Sequence, residues 1–157
     1  MNRCELKWID DKTLQISGTI DEYFSFDPVI ERLVGEIWID LSEVKRINSC
    51  GVREWIKVIS KSQARLHYRQ CSSVIVSQFS MIPEFLGPFG QVESFETQYV
   101  CPHCGHEDSL LLVVGKDIAA GQDSYEHSPE MTCRECGDKM ECDHNPELYF
   151  SFLRDAA

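Results

Sequence analysis

The sequence predicts an α/β domain over residues 1–97, a mixed sheet with helices, followed by a small cysteine-rich β extension over residues 98–157. Three observations predict it. A short apolar run (Ile37, Trp38, Ile39, Leu41) leads through a polar link to Val52, Trp55, Ile56 and Ile59. Those four recur at i, i+3, i+4 and i+7, so a strand runs into a helix with one apolar stripe. A second alternating segment, residues 66–71, follows, and such a strand–helix–strand unit favours parallel neighbours. Composition then changes: residues 98–157 hold both Cys-x-x-Cys pairs of the chain.

In chain order, residues 6–9 and 13–17 alternate about Asp10-Asp11-Lys12, the pattern of a hairpin. Residues 18–26 read as a connecting loop. Asp27 before Pro28 starts a helix, with Asp as cap and Pro at the first helical position, and Gly35 ends it after Val29, Ile30, Leu33 and Val34. The run at 37–41 reads as a strand buried on both faces, and residues 42–46 as its polar link. Asn48 or Ser49 caps the next helix. Ser72 or Ser73 caps a third, with Ile75, Phe79 and Ile82 on one side and Pro83 as its stop; residues 74–76 alone also suit a strand. Residues 84–90 form a loop, and 91–100 one strand leading into Cys101. Beyond it come a strand at 110–114, an exposed loop at 115–129 and a hairpin at 131–142. An apolar terminal element, helix or strand, at 148–153 is expected to dock on the body.

The chain has 157 residues, 43% of them hydrophobic and 26% charged, enough for one good core and an appendage. No run approaches the ~20 apolar residues of a membrane helix, and the amino end lacks a signal-peptide core. A cytoplasmic location is therefore expected, where paired cysteines point to metal more than to disulfides. Residues 1–97 carry eleven Lys and Arg against fourteen Asp and Glu, residues 98–157 four against twelve, for a net −11 overall. That balance argues against a nucleic-acid partner, which needs clustered cations. It suits a basic protein partner or simple solubility.

Asn48-Ser49-Cys50-Gly51 sits where strand becomes helix, downstream of Ile39-Asp40-Leu41-Ser42. The turn places a small hydroxyl at the positive end of a helix dipole. This pair of motifs resembles the STAS domain of bacterial anti-sigma-factor antagonists, across about the first hundred residues. In that family a strand like Leu-Asp-Leu-Ser precedes Asp-Ser-Ser-Gly, whose first serine is phosphorylated by a partner kinase. Ser49 occupies that place, with Asn48 standing for the aspartate and Cys50 for the second hydroxyl residue. The resemblance implies a docking surface of Asn48, Ser49, Cys50, Gly51 and Arg53, and an anti-sigma factor, kinase or other signalling protein as partner. Read from the residues alone, Ser49 is equally a plain helix cap. Cys50 is a thiol at a helix start, where reactivity can rise, or a small buried side chain.

Cys101-Pro102-His103-Cys104-Gly105 and Cys133-Arg134-Glu135-Cys136-Gly137 carry the strongest chemical signal. Two thiolates on one tight turn span two corners of a tetrahedron, and a second such turn closes it around Zn2+. The glycine after each pair suits a positive φ. His103, His106, Cys142 and His144 lie near, but four cysteines already saturate tetrahedral zinc, so these four read as surface residues. The arrangement resembles a zinc ribbon, and implies a structural metal stapling a tail too polar to fold on its own core. Trp8, Trp38 and Trp55 read as core, and no nucleophile or acid–base set stands out. The expectation is a non-enzymatic regulatory module that touches another protein. The alternative is an adaptor that grips its partner through the ribbon.

Overall fold

The computed structural model describes residues 3–120 and 129–153. A five-stranded sheet runs in the order β1 (Glu5–Trp8), β2 (Thr13–Ile20), β3 (Glu36–Ile47), β4 (Arg65–Arg69), β5 (Gly90–Val92). β1 is antiparallel to β2, and the remaining neighbours are parallel. α1 (Ser49–Ile59) connects β3 to β4 and α2 (Ser73–Met81) connects β4 to β5. A second, antiparallel sheet is ordered β7-β6-β8, from β6 (Ser94–Val100), β7 (Glu107–Val113) and β8 (Glu141–Cys142). The chain closes with α3 (Pro146–Tyr149) and a 3-10 turn at Ser151–Leu153. None of the described helices is long and apolar enough to cross a membrane.

β3 is longer than expected and buried on one face only. It absorbs the predicted polar link and alternates, with Ile37, Ile39, Leu41 and Val44 buried and Trp38 and Asp40 half-buried. The reason is which elements cover it. Trp55 of α1 is fully buried, stacks on Phe85 at 4.7 Å, meets Phe24, Phe26 and Tyr68, and donates its indole N–H to the Phe85 carbonyl at 2.8 Å. Tyr68 of β4 also meets Phe79 of α2. Both helices thus share one face. On the other, Trp38 stacks on His67 at 4.7 Å and donates to Glu93 at 2.9 Å, while His67 hydrogen-bonds with Glu36 at 2.7 Å. Of the three tryptophans only Trp55 is core in the full sense; Trp8 is half-buried beneath the Arg32 guanidinium, 3.8 Å from its ring centre.

Other expectations shift for local reasons. β2 continues through Ile20, inside the predicted loop, because its end pairs with the longer β3 (Ile20 with Ile47). The segment at Asp27–Arg32 is a 3-10 helix with no side-chain cap, entered from Phe26 rather than Asp27. Ser72 precedes α2, but its hydroxyl donates to the Val44 carbonyl at 2.8 Å instead of capping. The strand expected at 91–100 divides at Glu93 into β5 and β6, one in each sheet. Pro83–Phe85 forms a 3-10 turn inside the expected loop. Within 115–129, Ile118 is buried, and residues 121–128 lie outside the described ones.

The two sheets share one core. Phe95, Leu112, Ile118, Tyr149, Phe150, Phe152 and Leu153 belong to the same buried cluster as Trp55 and Tyr68. Cys71 bridges Phe95, and the Glu96 N–H donates to the Cys71 carbonyl at 2.9 Å, so β4 runs onto β6. The second sheet begins at Ser94, upstream of the predicted join at residue 97. The terminal element docks as expected: Tyr149 donates to the Glu96 carbonyl, and Ser80 of α2 donates to the Tyr149 carbonyl at 2.7 Å.

His144 lies flat against the Tyr149 ring at 3.8 Å and accepts from the Gln98 N–H at 3.4 Å. Burial pushes its imidazole below the ordinary value. The fold therefore favours neutral His144, and its contribution to stability is present above the unfolded value of about 6.5. That contribution is lost as pH falls through the lower folded value, because the unfolded chain takes up the proton first. His144→Gln should remove this component: comparing melting temperatures from pH 7.5 to 5, the variant should decline less steeply than the parent.

Candidate functional site

The four cysteines predicted to bind metal converge. The Sγ atoms of Cys101, Cys104, Cys133 and Cys136 all lie within 4.8 Å of one another. Across the two turns, Cys101 stands 3.5 Å from Cys136 and Cys104 stands 3.6 Å from Cys133. Sulfurs about 2.3 Å from a central zinc would be about 3.8 Å apart at the corners of a tetrahedron. The spacing therefore fits a tetrahedral ion, and the cluster could hold one. Among the described residues no other group of His, Cys, Asp or Glu does so.

The two turns are built alike. The Gly105 N–H donates to the Cys101 carbonyl at 2.9 Å, and the Gly137 N–H to the Cys133 carbonyl at 3.0 Å. The Cys101 N–H donates to His106 and the Cys133 N–H to Asp138, each at 2.8 Å. Gly105 and Gly137 adopt φ of +79° and +82°, with open space where a Cβ would stand, so backbone conformation alone demands glycine. In each turn the first cysteine is buried and the second exposed. Cys101 and Cys133 rest against Tyr99 and Met140, with Leu110, Met131 and Cys142 around them.

Crowding splits the four thiols. The Cys104 N–H brings Cys101 down to about 7 against the opposing effect of burial. At Cys136 the Asp138 N–H favours the thiolate, but burial and the neighbouring sulfurs outweigh it and push the thiol up to about 12. Four negative sulfurs this close require a cation, and an ion with soft preferences suits four thiolates. The turns are also tied to each other. Arg134 of the second turn pairs with Asp108 beyond the first, holding the Asp108 carboxyl below its ordinary range, and His103 stands 3.5 Å from Asp138. Of the other residues near the pairs in sequence, His103, His106, Cys142 and His144 stand outside the sulfur cluster.

Compared with known proteins, the chain matches no family model, no curated protein and no solved structure.

The second predicted site lies where β3 meets α1. Asn48, not Ser49, is the cap: its side-chain oxygen accepts from the Gly51 N–H at 2.8 Å. Ser49 is the first helical residue, with its side chain exposed; Arg53 is exposed and Cys50 half-buried. Gly51 is buried against the end of β2, where an added Cβ would stand 2.1 Å from the Ile20 carbonyl oxygen. Sequence reasoning missed the neighbours from the β2 loop. Asn48 donates its amide to Glu22 at 3.2 Å, and Tyr23 beside it is 85% exposed, held by a turn in which its N–H donates to Asp21 at 3.0 Å. Nothing in the residue pattern of 18–26 distinguishes these two side chains from an ordinary loop.

Proposed function

We propose that this chain is a non-enzymatic regulatory module, similar to anti-sigma-factor antagonists, that docks on a signalling protein through the turn before α1. In this reading Zn2+ held by Cys101, Cys104, Cys133 and Cys136 is structural, and Ser49 is the switch. One observation carries it: Asn48 does the capping, which leaves the Ser49 hydroxyl exposed at a helix start. The mixed sheet with its amino-terminal hairpin and two crossover helices also supports a STAS-like domain. A phosphate on Ser49 adds about −2 charge. The helix dipole tolerates it locally, while the neighbouring Glu22 makes the docking surface more acidic still.

A serine kinase that docks on this turn is expected to label Ser49, and Ser49→Ala to abolish the label. Ser49→Asp should weaken kinase binding about tenfold. Equal binding of the Asp variant by calorimetry would refute the switch. The adaptor reading, in which the zinc end grips the partner, is supported by Leu110 and Cys142, which pack against both the main core and the small cluster around Cys101 and Cys133. Loss of partner binding in Cys133→Ser, with α1 and its surroundings intact, would select it.

A further inference from the structure

From Gln70 to Pro83 the chain has no charged side chain, although a quarter of the sequence is charged. α2 occupies that stretch. α1, by comparison, carries Arg53, Glu54 and Lys57. A surface helix ordinarily turns charges to water, and one without them is ordinarily covered. α3 covers part of α2 and leaves a cleft of about 140 Å³ between them, lined by Ser77, Ser80, Met81, His144, Leu148 and Tyr149. Its serine hydroxyls are already engaged: Ser77 donates to the Ser73 carbonyl at 3.1 Å and Ser80 to that of Tyr149. Met81 and Leu148 remain 63% and 56% exposed at the opening. Large apolar side chains exposed together mark contact surfaces, and methionine adapts its shape to what it meets.

Charge decides what the cleft would take. Residues 70–85 and 140–153 contain no Lys or Arg, while Glu84, Asp143 and Glu147 flank the lining residues in sequence. A second copy would bring the same acids and another −11. A cavity of ~150 Å³ accepts something of benzene size, hence one side chain. We propose that the cleft between α2 and α3 receives an apolar anchor from a basic amphipathic helix of a partner protein. This does not rest on the Ser49 switch.

The test uses the full, metal-loaded chain and a Lys/Leu peptide of about five helical turns. Controls are the same peptide with Glu for Lys, and one of equal composition with its period scrambled. Calorimetry and amide shifts should show the Lys/Leu helix binding with perturbations at Met81 and Leu148. Met81→Glu, on an exposed side chain, should weaken it about tenfold, while Ile9→Glu, an exposed site on the β1 side, should not. The proposal is overturned if nothing binds, if the scrambled peptide binds equally, or if Met81→Glu has no effect. It is equally overturned if the chain self-associates in sedimentation and Met81→Glu abolishes that.

Discussion

Removing metal with a strong chelator, or replacing Cys133 with serine, is expected to unfold the cysteine turns while leaving α1, β3 and β4 in place. Beyond the exposed Arg134–Asp108 pair and a few hydrogen bonds, little apolar burial holds the turns. Their buried cluster is Tyr99, Cys101, Cys133 and Met140, so half of it is two of the four clustered cysteines. β8 contributes two register pairs with β6, and Thr132 and Lys139 a single bridge. Structural zinc commonly contributes about 10–16 kcal/mol of binding energy to such small units. The main core, by contrast, is centred on Trp55 and Tyr68 and includes none of the four cysteines. Hydrogen exchange read by mass spectrometry should show residues 101–108 and 131–142 losing protection, with 49–69 unchanged. Native mass spectrometry of the untreated protein should show one zinc per chain. An unchanged exchange pattern after complete metal removal would refute the staple.

Gly51→Ala is expected to destabilise the folded chain by about 3 kcal/mol or more, at the upper end of what overpacking costs. The atoms that a methyl would strike are backbone: Ile20 O at 2.1 Å and Ile20 C at 2.5 Å. They cannot swing aside, because Ile20 pairs with Ile47 and its carbonyl already accepts from the Asn48 N–H at 3.1 Å. The helix would have to retreat, breaking the Asn48 cap and displacing Trp55 one turn on. Denaturant melts provide the comparison. Asn48→Ala should cost about 1 kcal/mol, the usual value of a cap. Ser49→Ala should be close to neutral, since that hydroxyl is exposed and caps nothing. A Gly51→Ala protein as stable as the parent would mean that α1 does not lie so close to β2.

What could be read beforehand depended on range. The two Cys-x-x-Cys turns were legible because a metal demands fixed ligand types at fixed local spacing. The strand-to-helix passage at residues 37–59 was legible because its period is local too. The both-faces burial of β3 failed because Ile-Trp-Ile looks uniformly apolar, while the Trp38 indole N–H finds its partner in Glu93, 55 residues away. The break at Glu93 was hidden for the same reason. Its N–H donates to the Tyr68 carbonyl and its carbonyl accepts from Val114, so distant partners bend a segment whose own pattern is continuous. Gly51 looked like part of a motif, and only the approach of Ile20 shows what the missing side chain makes room for.

The aromatic cluster at the join bears on how the protein can be divided. Phe95 lies 5.1 Å from Phe152 and 5.9 Å from Phe150, and Phe152 reaches Phe79 at 6.4 Å. Severing the chain at residue 97 would strip greasy rings from both fragments at once. Either piece expressed alone would be prone to clump until the other returned to cover it.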